Sequence, residues 1–379
     1  MRSCQGGLKP ALGNYMIRRT HSIRTEVKRK SDAGIGLIKL GLDVHLSFIM
    51  CVEQRGGRPS KAGYKLGREE LLLKVMRWVK DGYEVHAVYE ACGLGFSLCR
   101  DLKAEGAHAY VISPVCLQED GSRRKTDRAD AQALCHRLAR YLDGERNALP
   151  VIRIPSPEEE KRRAVARRRE ALLEQRRLME SQGRALCAQH CGHSLPSRWW
   201  GPRNWKKLSA YLDPWLAQML EKIREVLIVI QEQDRELEEQ IKGTVKGQVY
   251  AKGFGELTLA QCTAEVCDWH RFNNRKQVGS YTGCCPGEHS SGGKRRQGGI
   301  DRRGNARLRS MLVEAAWRLV QWNPGYFRIK QRADVLLDKK APKRLRRIAI
   351  VAVARGLAVD LWRLQTGRCR FEDLGLIAA

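Results

Sequence analysis

The chain has 379 residues, and 42% of them are hydrophobic, which is enough to build folded cores and excludes a disordered protein. Lys and Arg number 70 against 42 Asp and Glu, and the net charge of +28 indicates a polyanionic partner, nucleic acid ahead of an anionic membrane. The longest apolar stretch is interrupted by Arg355, so it predicts a buried helix and excludes a membrane span. No export signal is visible, and the 13 cysteines are therefore expected to be free thiols in the cytoplasm.

Strands alternate with helices in the first half of the chain, after a basic segment at residues 1–35 that we expect to be a disordered arm. Short apolar runs predict strands, and amphipathic spacing predicts helices between them. The predicted strands are "IGLIKLGLDVH", "LSFIMCVEQ", "YEVHAVYEACG", which ends in a turn, and "AHAYVISP", which is stopped by its proline. The predicted helices are "REELLLKVMRWVKD", "GFSLCRDLKAEG" and "TDRADAQALCHRLARYL". This order predicts an α/β domain with a partly parallel sheet over residues 36–155.

Two long helices are predicted over residues 156–243. The first is dense in charge, and the second carries an apolar stripe of Leu220, Ile223, Leu227 and Ile230. A solvated spacer does not need such a stripe, so we interpret the pair as a helical hairpin or coiled coil that serves as an oligomerisation arm.

A group of thiols and imidazoles closes the first long helix: Cys187, His190, Cys191 and His193. Buried thiols at a helix end are the favoured interpretation over half of a zinc site, because no second ligand pair has suitable spacing. A second compact and mainly helical domain is predicted over residues 244–366, followed by a tail at residues 367–379.

Four carboxylates fall where a metal site is expected. Asp43 lies on or just past the first predicted strand, and Glu90 ends the strand "VHAVYE". Asp127 and Asp130 lie three residues apart on one helix face. Each acid alone is better explained as a helix cap or a surface residue, but four together repel one another unless a cation neutralises them. Carboxylate oxygens favour Mg²⁺ or Mn²⁺. A cationic entry for phosphate precedes the acid pair: Arg123, Arg124 and Lys125.

The segments "GLDVH", "YEACG" and "KTDRADA" resemble the acidic motifs of the DEDD transposases of IS110-type insertion sequences, including the IS1111 subgroup. The resemblance implies a RuvC-like, RNase H-type fold for residues 36–155. It also implies that Asp43, Glu90, Asp127 and Asp130 bind the catalytic metal. Leu46 departs from the family pattern, in which Lys usually follows "DVH".

The second predicted domain is similar to the C-terminal serine transposase domain of the same family. The residues that carry this similarity are Tyr281, Gly283, Pro286, Ser291, Gly292, Gly304, Asn305, Leu308 and Arg309. Cys284 departs from the pattern, in which Leu is usual. Upstream, "KGFG" is equally well explained as a helix-hairpin-helix turn that grips a DNA phosphate beside Lys252 or as an ordinary linker.

The resemblance implies that Ser291 is a nucleophile that joins covalently to a DNA phosphate, with Ser290 as the alternative. A serine hydroxyl needs activation, which His289 or the metal site could supply. The loop histidine is better explained as a bystander. Cations near the serines would stabilise developing negative charge or bind the nucleic-acid backbone: Lys294, Arg295, Arg296, Arg302 and Arg303.

The sequence therefore predicts a DNA transposase-recombinase that exchanges strands by phosphoryl transfer. The resemblance further implies a homo-oligomer, dimer or tetramer, and a structured non-coding guide RNA. We expect action on DNA in the cytoplasm, at the nucleoid, and no membrane partner. Two rivals stay open: a metal-dependent junction-type nuclease that uses water, and a non-catalytic nucleic-acid-binding remnant of a transposon.

Overall fold

The computed structural model describes residues 36–58, 60–114, 126–192, 194–288 and 297–379. The chain divides into two compact units, Met1–Ile152 and Arg153–Ala379. The basic arm predicted at residues 1–35 lies outside the described ranges. Within those ranges, no helix combines the length and the apolar character needed to cross a membrane.

Unit 1 is built on a five-stranded mixed sheet in the order β3-β2-β1-β4-β5. Strand β2 runs antiparallel to β1 and to β3, whereas β4 runs parallel to both β1 and β5. The strands are β1 (Leu37–Val44), β2 (Ile49–Arg55), β3 (Tyr64–Leu66), β4 (Glu84–Glu90) and β5 (His108–Ile112). The four predicted strands are confirmed, and β3 is an addition that is too short for a periodic signal.

Helices cover both faces of this sheet. They are α1 (Arg68–Lys80), α2 (Ser97–Ala104) and α3 (Asp127–Leu142), and all three were predicted. Val88 of β4 packs with Leu134 of α3, whereas the hydroxyl of the next residue, Tyr89, accepts a hydrogen bond from the backbone N–H of Cys99 in α2. Because successive strand residues point to opposite faces, α2 and α3 lie on opposite sides of the sheet. The predicted α/β architecture of this region is thereby confirmed.

Unit 2 begins with a helical hairpin. It consists of α4 (Pro157–Cys191), the short α5 (Pro202–Ser209) and α6 (Pro214–Gly243). Arg169 pairs with Asp234 at 2.9 Å and with Glu238 at 3.0 Å, and Arg176 further along α4 lies 3.6 Å from Asp234. The arginine nearer the start of α4 therefore reaches further toward the end of α6 than the later arginine does. The two helices are antiparallel, and the predicted hairpin is confirmed.

The rest of unit 2 is a mainly helical bundle with one small hairpin of strands. Its elements are α7 (Glu256–Val266), α8 (Arg275–Tyr281), β6 (Pro286–Glu288), β7 (Gln297–Ile300), α9 (Ala306–Trp322), α10 (Phe327–Lys330), α11 (Ala333–Leu336) and α12 (Lys343–Gln365). Leu259, Leu312 and Leu357 belong to its apolar core. The C-terminal residues also pack there, since Leu376 is buried and Ala378 forms a β-bridge with Ala251.

Candidate active site

The parallel pairing of β1 with β4 places two of the predicted acids side by side. Leu42 and Tyr89 are register partners, and Asp43 and Glu90 are the next residue on each strand. Because parallel strands end at the same edge of a sheet, both carboxylates lie at this edge, on the face that α3 covers. Both side chains are partly exposed.

The start of α3 supplies the other two acids. The side chain of Thr126 caps the helix by accepting a hydrogen bond from the N–H of Ala129 at 3.2 Å, which fixes Asp127 and Asp130 in the first turn. Gly41 of β1 lets the helix lie close to the sheet, because a Cβ there would collide with the backbone of α3 at Ala131. The close approach brings the helix acids to the strand acids.

His45, which was not predicted to act in the site, joins the two sets of acids. Its Nε2 lies 3.1 Å from Oδ2 of Asp43 and 3.5 Å from Oδ2 of Asp127. The histidine ring also packs on Phe48, with ring centroids 4.6 Å apart. One nitrogen on His45 and one oxygen on each of Asp43 and Asp127 lie within 4.8 Å of one another, a spacing that could hold a metal ion. The motif "GLDVH" contains His45, but nothing in the motif predicts the contact of this residue with Asp127 of α3.

All four predicted acids line one cavity of about 280 Å³, together with His45. Four carboxylates from three elements form an oxygen-rich donor set, which is the chemistry that Mg²⁺ or Mn²⁺ requires. The residues present therefore fit a divalent ion, with Asp43, Glu90, Asp127 and Asp130 as its holders. Such an ion would polarise a phosphate oxygen and stabilise developing charge. The cations expected at the entry, Arg123, Arg124 and Lys125, lie outside the described residues.

The predicted serine loop connects the two strands β6 and β7 of unit 2. These strands pair antiparallel, with Pro286 opposite Ile300 and Glu288 opposite Gln297. The loop residues themselves, among them His289, Ser290, Ser291, Lys294, Arg295 and Arg296, lie outside the described residues. The described residues are those on either side of the loop, in β6, in β7 and in the segments next to these strands.

The base of this hairpin is closed by two glycines in contact. A Cβ on Gly304 would collide with the backbone N of Gly283 and the carbonyl oxygen of Tyr281. Gly283 itself has a φ of +64°, which L side chains rarely adopt. The guanidinium of Arg309 donates a hydrogen bond to the carbonyl of Thr282 at 3.0 Å. The family motif residues on both sides of the loop thus contact one another at the base of the hairpin.

A buried carboxylate, Glu265 of α7, anchors that base. It accepts hydrogen bonds from Arg167 of α4 at 2.9 Å and from the side chain of Asn305 at 2.9 Å. Asn305 also caps α9 by accepting from the N–H of Leu308. Burial alone raises the pKa of Glu265, but the bonds from Arg167 and Asn305 outweigh it, so the net pKa lies below its usual value. Nothing in the sequence pattern of α7 singled out this acid.

The profile of the family described as Transposase IS116/IS110/IS902 matches residues 250–330, the region that holds this hairpin and its anchor. A protein of Sinorhizobium fredii that is named as a transposase, y4rJ, is 29% identical over 309 residues, which cover 73% of this chain and 76% of the relative. The transposase for insertion sequence element IS1111A of Coxiella burnetii is 25% identical, covering 74% and 77%. The transposase for IS1328 of Yersinia enterocolitica is 26% identical, covering 70% and 83%.

The family profile and these relatives support an IS110-type transposase. The similarity supports a transposase role and implies DNA as a partner. The predicted recognition of the family is confirmed. In this transposase, the family profile covers the hairpin base, and the carboxylate cavity lies upstream of the region that the profile matches.

Three cations of the transposase that were predicted to bind nucleic acid are described. Arg302 and Arg303 follow β7 and are exposed, so both are available to a polyanion. Lys252 is exposed too, with its Nζ 5.8 Å from the ring centroid of Trp322. The "GFG" turn next to it leads into α7, but Ala251 before it lies in a β-bridge and not in a helix.

The cysteine-histidine group at the end of α4 has a structural environment. Cys187 is buried in an apolar cluster with Trp199, Trp200 and Leu216. His190 meets the ring of Trp215 edge-on, with centroids 4.8 Å apart. His193 lies outside the described residues, and among those described the group forms no three-ligand metal cluster. These contacts favour the packing interpretation over a zinc site.

Proposed function

We propose that this IS110-type transposase exchanges DNA strands by phosphoryl transfer, with a divalent metal held by Asp43, Glu90, Asp127 and Asp130 and with Ser291 as the nucleophile. The observation that carries the proposal is the convergence of the four acids on one cavity in a chain of this family. A five-stranded mixed sheet with the acids at its edge also supports a RuvC-like assignment for unit 1.

The proposed chemistry is a transesterification. Oγ of Ser291 forms a bond to the phosphorus of a DNA phosphodiester while the bond from phosphorus to one DNA oxygen breaks. The serine proton leaves to solvent or a nearby base, and the departing DNA oxygen gains a proton, so no oxidant or reductant is needed. Attack by a DNA hydroxyl on the serine ester would reverse the step and join a new pair of strands.

The residues around the loop support a nucleophilic role for the serine. A mobile attachment would not hold an attacking oxygen in line with a phosphate, and reaction rates depend strongly on such positioning. Here both strands leading to the loop arise from the base at Gly283 and Gly304, which Glu265 and Asn305 anchor. Arg302 and Arg303 lie just beyond β7, where they would neutralise phosphate charge.

Partners are proposed on the same basis. The net charge of +28 supports binding of a second polyanion besides DNA, and we propose a structured non-coding RNA of the element as a guide. We also propose that the transposase acts as a dimer or tetramer at DNA in the cytoplasm. Nuclease treatment that removes RNA before the assay should abolish strand exchange and leave the purified chain folded.

The decisive experiment traps the covalent intermediate. Full-length protein is incubated with DNA of the element ends, the co-purified or added RNA and Mg²⁺, then denatured and resolved on a gel. We expect a DNA-linked protein band with the parent and with Ser290→Ala, and none with Ser291→Ala or Asp43→Asn. Loss of the band in Ser290→Ala alone would move the role to Ser290.

The two rival functions give different results in the same assay. A junction-type nuclease that uses water would cut DNA with Ser291→Ala as well as with the parent and would form no linked band. A non-catalytic remnant would bind DNA equally with Ser291→Ala, Asp43→Asn and the parent, with neither cutting nor linkage. Either pattern contradicts the proposal.

A further inference from the structure

A second group of potential metal ligands lies in unit 1, away from the carboxylate cavity. Glu84 and His86 are two residues apart on β4 and point to the same face, and His108 of β5 is the register partner of His86. All three are at the beginning of their strands, whereas Glu90 ends β4. At about 3.3 Å per residue, His86 and Glu90 are roughly 13 Å apart, so the two groups are separate.

The three side chains converge on one point. Oε1 of Glu84 lies 2.7 Å from Nε2 of His86 and 3.8 Å from Nε2 of His108. The two imidazole rings stack with centroids 4.6 Å apart, and the three ligand atoms lie within 4.8 Å of one another. Ligands about 2.1 Å from a tetrahedral zinc ion are separated by about 3.4 Å, a value that lies between the two distances from Oε1 of Glu84.

A neighbouring tyrosine supplies the outer contact that metal-binding histidines commonly have. Oη of Tyr110 lies 3.2 Å from Nδ1 of His86, on the side of the ring away from Glu84. If Nδ1–H donates to Tyr110, the lone pair of Nε2 points toward Glu84 and His108. The contact can therefore select the tautomer that binds a metal.

Exposure and charge in the group bear on binding in opposite directions. The side chain of His86 is only 7% exposed, and burial lowers its pKa, which favours the neutral ring. Glu84 and His108 are half-exposed, with 49% and 59% of their side chains accessible, so an ion can enter from solvent. Lys39 of β1, the register partner of His86, places a positive charge nearby that opposes a cation.

We propose that Glu84, His86 and His108 form a second metal site, for Zn²⁺ or a similar transition-metal ion, with water completing the coordination. Two imidazoles and one carboxylate on an open face are a donor set for such ions and not for Mg²⁺. The bound ion would fasten β5 to β4 at the edge opposite the carboxylate cavity. This site is independent of the proposed strand-exchange chemistry.

Metal binding is tested on full-length protein carrying Asp43→Asn and Asp127→Asn, so that ions in the carboxylate cavity are not counted. After chelation, Co²⁺ is added, and visible absorption bands of histidine-bound cobalt are recorded and then displaced with Zn²⁺. We expect one ion per chain. His108→Ala should lose the bands and weaken Zn²⁺ binding by more than the roughly 10–100-fold cost of losing an outer-shell partner.

Two further variants sharpen the test. His136→Ala, which removes an exposed histidine of α3 outside the group, should bind both ions as the parent does. Lys39→Met keeps all three ligands and removes the opposing charge, so it should bind Zn²⁺ more tightly. The proposal is overturned if the protein with only Asp43→Asn and Asp127→Asn shows no cobalt bands, or if adding His108→Ala leaves those bands in place. Glu84, His86 and His108 then form a hydrogen-bonded cluster only. Because the assay measures metal binding, its outcome does not depend on transposition.

Discussion

Individual side chains of this transposase differ in whether sequence could reveal their roles. Asp43 and Glu90 were predictable because each ends an apolar run, and the ends of parallel strands meet. His45 and Glu265 were not, because their roles arise from contacts between elements far apart in sequence: His45 meets Asp127, and Glu265 meets Arg167 and Asn305. A residue of a common type with no pattern around it becomes informative only through its neighbours in the fold.

Substitution of His45 with Ala should weaken metal binding in the carboxylate cavity without unfolding unit 1. The ring is 38% exposed, so its loss leaves no buried void, but Asp43 and Asp127 lose the group that lies between them. We expect strand-exchange activity to fall about 10–100-fold, as for outer-shell partners of a metal, and the Mg²⁺ concentration for half-maximal rate to rise. Leu46→Ala is the matched control, since that neighbour is 90% exposed.

Glu265 predicts a pH dependence of stability. Its folded pKa is below the unfolded value of about 4.5, so its stabilisation is present above that pH and is lost as pH falls through the folded pKa. Glu265→Gln should cost about 1–3 kcal/mol at pH 7, because it weakens the bonds to Arg167 and Asn305. The difference in Tm between parent and variant should shrink between pH 5 and pH 3.

The control for that measurement is Glu236→Gln, on the exposed side of α6. Its Tm should follow the parent at each pH. A Tm difference between the parent and Glu265→Gln that stays constant down to pH 3 would show that the carboxylate charge does not stabilise the hairpin base.

At the scale of elements, periodicity predicted the long elements and missed the short ones. Leu220, Leu227 and Ile230 of the predicted stripe are buried, and Leu220 and Leu227 lie in the cluster shared with Cys187 of α4. The stripe therefore packs within the hairpin of the same chain. An apolar pattern alone cannot distinguish such packing within a chain from packing against a second subunit. The strands β6 and β7 have three and four residues, rich in Gly, and carry no period at all.

The base of the serine hairpin gives a prediction at this scale. The added Cβ in Gly304→Ala would collide with the backbone of Gly283 and of Tyr281. The segment around Gly304 must then move away from them, which displaces the strands next to the loop. Because a shift of about 1 Å in a reacting group can cost about 100-fold in rate, we expect at least that loss of DNA-linked protein. Metal binding in unit 1 should be unaffected.

Gly299→Ala provides a control within the same hairpin. A Cβ at Gly299 meets no atom within 4 Å, so this variant should form linked protein at the parental rate. Equal losses in the two variants would mean that the hairpin tolerates no side chain anywhere, and a normal rate in Gly304→Ala would contradict a positioning role for the glycine contact.

For the whole molecule, composition alone predicts the class of partner. A net charge of +28 on 379 residues does not serve folding, since like charges repel in the compact state. It does serve binding to a polyanion, because each phosphate that a cation neutralises releases counterions. Composition could not distinguish DNA from RNA, since both offer the same phosphate chemistry. The similarity to transposases is what indicates DNA.

The charge predicts a steep salt dependence that specific cations should reduce. If the protein neutralises about 6–10 phosphates, DNA affinity should fall about 10³–10⁵-fold between 50 and 200 mM salt. Arg302→Gln with Arg303→Gln should lower the slope of log affinity against log salt by about 0.9 for each phosphate that the variant no longer neutralises. Lys206→Gln with Lys207→Gln removes the same charge from exposed positions on α5 and should leave the slope unchanged. Fluorescence anisotropy with labelled element-end DNA measures both slopes, and equal reductions in the two variants would mean that the cations after β7 act only through net charge.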